Sequence, residues 1–335
     1  MRFGAHIRLL VTGLLLTFAV ALAVPADAQQ VNPTADAVRE RQFLDALKGN
    51  PQAELQGRIS IPDQKAATLE RPAGRDWRAF HQGTMLRTAV IAVLGTLLVL
   101  AAFFLIRGRI RTEAGPAGQT ITRFNAFERF VHWLTAGCFI ILALSGLNVT
   151  FGKLVLLPLI GPQAFTNLSI AAKWAHNFLA WPFMVGIALM FVIWIKDNIP
   201  NAMDIRWFAS GGGIIGKGHP EARRFNAGQK IVFWSVVLGG AALSVSGFYL
   251  LFPFSAGGVL NLQFWNVVHG LVSVLMIALM LGHIYIGSIG MEGAFDAMGS
   301  GEVDLNWAKA HHSLWVEEEM QKARAGADNR LQPAE

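Results

Sequence analysis

Five apolar runs, each about 20 residues or longer, constrain this chain more than anything else in it. They fall at approximately 84–106, 128–149, 172–195, 229–252 and 264–289. At helical rise, about 20 residues cross roughly 30 Å of hydrocarbon. Lipid offers the backbone no hydrogen-bond partner, so runs of this kind fold as helices that satisfy themselves. Composition agrees. Of 335 residues, 53% are hydrophobic and only 15% charged, too apolar for a soluble domain. The expected fold class is an all-α integral membrane bundle.

The flanks divide the chain further. Residues 1–28 read as a signal peptide: Arg2 and Arg8, a short apolar core, then the small-residue end Ala26-Asp27-Ala28. Residues 29–83 form a polar arm broken by Pro33, Pro51, Pro62 and Pro72, with a helical piece expected near Ala35 to Leu47. The run at 84–106 is an extra transmembrane helix, and 107–127 a cytoplasmic linker. Residues 128–290 hold four helices, and 291–335 a cytoplasmic tail. Lys and Arg set the orientation. Arg107, Arg109, Arg111 and Arg123 follow the first span, and Arg206, Lys217, Arg223, Arg224 and Lys230 cluster after the third. The loop at 150–171 carries only Lys153, and LVLLPLIG within it is expected along the interface; 253–263 has no basic residue. The mature N-terminus is therefore expected in the periplasm and the C-terminus in the cytoplasm of a bacterial inner membrane, with lipid as the surroundings.

Several functions are excluded. Cys138 is the single cysteine, so the chain can form no internal disulfide and no thiolate-held Fe–S cluster of its own. There is no C-x-x-C-H for covalent haem attachment. The net charge of +6 fits basic loops, and no aromatic-interleaved basic patch points to nucleic acid. No Ser/His/Asp or Cys/His catalytic arrangement is present, so no catalytic residue is assigned.

Four histidines, His132, His176, His269 and His283, lie within or at the edges of spans. Ionisable groups at that depth are costly and point to function. Topology gives each a side. His132 enters early from the cytoplasm and His283 leaves late toward it, so those two share the cytoplasmic half. His176 and His269 both begin spans from the periplasm and share the other half. In HGLVSVLMIALMLGH, His269 and His283 are 14 residues apart, about 21 Å along a helix and roughly 40° apart around it. One helix can thus offer two imidazoles to two stacked centres, each completed by a histidine from another helix. Bis-imidazole ligation of iron suits two non-covalent b haems. Gly137, Gly146, Gly239, Gly240, Gly247, Gly270 and Gly282 leave room for a flat ring, or simply let helices pack closely. Zinc is a weaker fit, because a pair of histidines is too few ligands.

These residues resemble the cytochrome b556 (gamma) subunit family of membrane-bound respiratory formate dehydrogenase. That family lies within the di-haem cytochrome b group shared with nickel–iron hydrogenases. The matching pieces are RFVHW around His132, KWAHNFLA around His176, DNIPNAMDIRW, RRFNAGQKIVFW, VVHG around His269, GHIYIG around His283, and NWAKAHHSLW. NAGQK and WAKAHH favour the formate dehydrogenase branch. The resemblance implies a four-helix transmembrane di-haem cytochrome b bundle, here with one extra N-terminal transmembrane helix. It gives His132 with His283, and His176 with His269, as haem iron ligands. It also implies a quinone site at Asn226, Gly228 and Gln229; the residues alone equally suit a helix N-terminus capped by Asn226.

The implied partners are an Fe–S (beta) subunit and a molybdopterin catalytic (alpha) subunit, with quinone as electron acceptor. Electrons would enter on the periplasmic side and reduce quinone on the cytoplasmic side, while this chain itself does not oxidise formate. The alternatives are a cytochrome b subunit of a nickel–iron hydrogenase, a haem-free anchor and a proton-relaying transporter. Arg123, Arg129 and Lys173 lie near the ligand ends, where they could pair haem propionates or anchor the interface. His311 and His312 are read as an interfacial or subunit contact beside Trp307 and Trp315.

Overall fold

The computed structural model describes residues 72–213 and 220–330, with Leu44 and Lys48 besides. The expected signal peptide, the helical piece near Ala35 and most of the polar arm lie outside the described residues. Helix α1 (Pro72–Ala79) runs through a π turn (Phe80–Met85) into α2 (Leu86–Arg107). The last part of the expected polar arm is therefore helical. Pro72 stands at the first helical position, where its missing N–H costs nothing, and no later proline interrupts before Arg107.

Among the described residues, four helices are long and apolar enough to cross a membrane. One of them, α3 (Ala126–Trp194), has 69 residues and would measure about 100 Å if straight. It folds back instead. Gly161 takes φ 77° and ψ 168°, which breaks the helix into arms at 126–160 and 162–194. Contacts between the arms run in antiparallel order. Glu128 meets Trp194, Gly186 lies against Thr135, Ser145 meets His176, Asn148 meets Ser169, and Gly152 lies against Phe165. A residue with a Cβ avoids that φ, and Pro162 then opens the second arm. This corrects the expected loop at 150–171. Both helices continue about three turns further: the first arm carries Pro158 within it, and only Gly161 leaves helical geometry.

Helix α4 (Ala202–Ala209) starts at a capping box between Asn201 and Asp204. Helices α5 (Ala227–Leu251) and α6 (Val259–Tyr285) are the last two spans, and a π turn (Ile286–Gly290) extends α6. The chain divides into two compact units. Of its described residues, the smaller holds Leu44, Lys48, 72–77 and 248–266, and within it Tyr249 stacks on Trp265 at 4.6 Å. The larger, 78–247 and 267–335, carries everything that follows. Within it α2 runs alongside α6: Met85 touches Gly270 near one end, and Phe103 and Phe104 meet Tyr285 edge-on at the other.

The expected tail is a packed cap on the end bearing His132 and His283. Strand β1 (Thr120–Thr122) pairs antiparallel with β2 (Glu302–Asp304). Around them stand α7 (Asp296–Gly299), α8 (Leu305–His311) and α9 (Ser313–Arg330). Phe124, Val131, Trp194, Val303, Trp307 and Trp315 share one buried core there. His312, expected at an interface, is instead only 1% exposed in this core, with Nδ1 donating to the Arg223 carbonyl at 2.9 Å. Burial, and then the charge of Arg123, hold its imidazole well below the usual histidine range. Arg123 is boxed by the rings of Phe124, Trp307 and Trp315, and burial beside Arg224 pushes its guanidinium down to about 9.

One carboxylate ties this end together. Glu128 is 4% exposed. Its Oε1 accepts from Trp194 Nε1 at 2.9 Å and from Arg224 Nη2 at 2.7 Å, while Oε2 accepts from the Asn125 amide at 3.0 Å. Arg224 also pairs with Asp197 at 3.0 Å.

Two outcomes follow. Glu128→Ala strands Arg224 and the Trp194 indole, and should lower unfolding stability by about 3 kcal/mol in denaturation of the detergent-solubilised protein. Acid should act through His312. Its folded pKa lies below the unfolded value near 6.5, so below that pH the unfolded chain binds a proton the native one does not. Stability then falls with pH, by up to about 1.4 kcal/mol per unit. Unfolding midpoints followed by tryptophan fluorescence between pH 7.5 and 5.5 should drop less in His312→Gln than in the unaltered protein.

Candidate functional site

The four intramembrane histidines come together as two pairs. The ring centres of His132 and His283 are 6.2 Å apart at 62°. Those of His176 and His269 are also 6.2 Å apart at 62°. His132 stands on the first arm of α3, one turn beyond Glu128, and His176 on the second arm; His269 and His283 both stand on α6. The levels are separated by the helical rise between His269 and His283, about 21 Å.

The spacing can be tested against a metal. An imidazole nitrogen lies roughly 1.1 Å from its ring centre, and a metal–imidazole bond is about 2.0 Å. Two imidazoles on opposite sides of one iron therefore hold their centres about 6.2 Å apart. Both pairs meet that requirement, whereas imidazoles bonded directly to each other would sit closer. Among the described residues, no cluster of three or more His, Cys, Asp or Glu could hold an ion by itself. The rest of any coordination sphere would have to come from a ligand such as a macrocycle.

The glycines separate into two groups. A Cβ added at Gly137 or Gly282 would meet nothing within 4 Å, and at Gly146 only the His176 ring, at 4.0 Å. At Gly247 it would reach the His269 ring at 3.3 Å. Gly146 and Gly247 thus stand directly against the His176 and His269 rings, while Gly137 and Gly282 face open space. Gly239 lies against Met276, Gly240 against Ile187 and Gly270 against Met85, which is plain helix packing.

Sequence reading missed two serines. Ser145 Oγ lies 2.7 Å from His176 Nδ1, and Ser246 Oγ lies 3.0 Å from His269 Nδ1. Both sit in apolar runs, where a serine commonly satisfies itself on its own helix, so their residue type alone was no signal. His132 Nδ1 is buried without a hydrogen-bond partner among the described residues.

The residues expected to meet a quinone are placed differently from the histidines. Asn226 and Gln229 form a reciprocal capping box at the start of α5: Oδ1 of Asn226 accepts from the Gln229 amide at 2.9 Å, and Oε1 of Gln229 from the Asn226 amide at 3.1 Å. Gly228 lies against Trp207. The cap leaves each carboxamide NH₂ available. Next to them, a groove of about 450 Å³ runs between α4, α5 and α6, its walls including Ile231, Trp234, Ser235, Val272 and Leu279. Its polar end is Lys230, which donates to Asp204 at 2.9 Å and to the Ile199 carbonyl at 3.2 Å. Leu279 is one turn before His283 on α6.

The basic residues near the ligands also have defined places. Arg123 Nη2 donates to the Arg224 carbonyl at 2.6 Å and Arg129 Nη1 to the Gly299 carbonyl at 2.9 Å, while Lys173 is exposed.

Comparison with known proteins converges on the same region. A family model described as prokaryotic cytochrome b561 matches residues 123–301, which include all four histidines. The chain is 32% identical over 205 residues to the formate dehydrogenase cytochrome b556(fdo) subunit of Escherichia coli (strain K12), covering 60% of this chain and 93% of that one. It is 30% identical over 212 residues to the nitrate-inducible formate dehydrogenase cytochrome b556(Fdn) subunit of the same organism, covering 62% and 94%. It is also 26% identical over 208 residues to the formate dehydrogenase cytochrome b556 subunit of Haemophilus influenzae, covering 60% and 84%.

Proposed function

Because the chain belongs to the prokaryotic cytochrome b561 family, we propose that it is the membrane cytochrome b subunit of a formate dehydrogenase, carrying electrons from a periplasmic Fe–S partner to quinone on the cytoplasmic side. The observation that carries this reading is the pair of 6.2 Å imidazole couples at two levels of one bundle. His176 and His269 hold one b haem and His132 and His283 the other, within four helical passes of α3, α5 and α6; α2 is the extra N-terminal span. Each haem, when bound, supplies a reversible one-electron centre. The names of the relatives favour formate over hydrogen as the source of electrons; the partners we propose are a beta Fe–S subunit and an alpha molybdopterin subunit.

The chain's own residues do the rest. The helices hold four imidazoles at fixed depth in hydrocarbon. Arg107, Arg111, Arg129 and Arg224 gather at the His132 end, which supports that end as cytoplasmic in a bacterial inner membrane. There the apolar groove accepts the quinone, within a helical turn of His283; Asn226, Gly228 and Gln229 do not line it but stand beside its residues Ala227 and Lys230, with the carboxamide N–H groups left over from the capping box for a quinone carbonyl. Protons for the quinone then come from the cytoplasm.

A reduced-minus-oxidised visible spectrum with haem quantified per chain should give two non-covalent haems b. His176→Ala should keep one, and a chain without haem in a haem-supplied preparation would sink the reading. Filling the groove with Ser235→Phe should leave both haems in place and slow their reoxidation by a short-chain quinone about tenfold or more, read at the haem α-band. Unchanged reoxidation would remove the groove from the quinone site.

A further inference from the structure

Resting on that haem assignment, we infer that Ser145 and Ser246 make the His176/His269 couple the more electron-donating of the two, and so the lower-potential centre.

The hydrogen positions follow from what each partner can do. A serine hydroxyl has one proton. Ser145 Oγ lies 2.8 Å from the Ile141 carbonyl and 2.9 Å from the Leu142 carbonyl, which can only accept. Its proton goes to its own helix, and its lone pairs face His176 Nδ1. That nitrogen must therefore carry a hydrogen and donate it, which leaves Nε2 bare for iron. Ser246 repeats the arrangement with the Ala242 carbonyl at 2.7 Å and His269 Nδ1 at 3.0 Å. The two serines stand on different helix passes, the first arm of α3 and α5, yet reach their histidines in the same way.

Among the described residues, the other couple has no such hydroxyl. His132 Nδ1 is buried and meets no acceptor among the described residues, and no described hydrogen bond reaches the His283 ring. An acceptor on Nδ1–H pulls the proton outward and makes the imidazole a stronger donor through Nε2, which favours the oxidised iron. With both axial ligands of one centre supported and His132 unsupported at the other, the two potentials separate in a fixed direction. An electron passed from the iron that His176 and His269 would hold to the iron that His132 and His283 would hold would oxidise the first and reduce the second. Each iron changes by one charge, and no proton is needed. The gradient then points from the side where electrons arrive to the side where quinone is reduced.

The test is redox potentiometry of the purified full-length protein, with haem content measured on the same samples. Ser145→Ala and Ser246→Ala should each raise the midpoint of one haem and leave the other unmoved, with a larger rise in the double variant. Ser145→Thr, which keeps the hydroxyl, should retain the low midpoint, and Ser145→Cys, a weaker acceptor, should fall between. A His132→Ala background, holding only the His176/His269 haem, shows which centre moved. Two haems bound with both midpoints unchanged by the alanine variants would overturn the inference, as would haem loss from Ser145→Ala with an unshifted midpoint in Ser145→Cys. Absence of haem from the unaltered protein would instead count against the haem assignment itself.

Discussion

The buried Glu128 carboxylate is the constraint on which the rest of this structure rests. A charge at 4% exposure is tolerated only when it is paired and hydrogen-bonded on both oxygens. Here the Asn125 amide, the Trp194 indole and the Arg224 guanidinium supply those bonds. Those groups come from the start of α3, its far end and the segment before α5. One carboxylate therefore closes the α3 hairpin and fixes where the third pass begins. His132 follows one turn later, so its depth is set by a polar anchor and not by the featureless apolar surface around it. In a membrane, where burial of apolar area drives little helix association, polar closure of this kind decides register.

Much of this architecture was legible in the residues. The spans were, because lipid demands length and apolarity together and few other folds need either. The pairing followed from depth alone, and the ring distances agree with it. What stayed hidden was held by contacts with no periodic trace. The extension of both α3 arms to Gly161 looked like a loop, because the apolar stretch there exceeds what a bilayer needs. The cap at 291–330 looked like a tail, because its core is assembled from single residues, Phe124, Val303, Trp307 and Trp315, drawn from distant segments. His312 read as a surface residue for the same reason. Asn226 and Gln229 form the helix start that was one of their two readings, the capping box occupying the side-chain oxygen of each.

The serines show why local composition can conceal function. In an apolar helix, a serine that bonds its own carbonyl four residues back is the ordinary solution to an unsatisfied hydroxyl. Ser145 and Ser246 adopt it, and their sequence signature is that of structural residues. Only the position of the neighbouring imidazole distinguishes them. The same self-bonding directs the hydroxyl proton away from the histidine, so the structural solution produces the electronic effect.

Helix α6 then acts as a ruler. It bears one imidazole for each level, so the separation of the two centres is set by helical rise within a single rigid element and is insensitive to how the other passes tilt. Their partners come from opposite arms of one hairpin, whose closure at Glu128 and turn at Gly161 fix the offset between His132 and His176 independently. Two separately determined offsets must agree for both couples to reach 6.2 Å, and they do. Position along one rigid helix and closure of one hairpin thus set two imidazole couples at two depths of the same bundle by independent means.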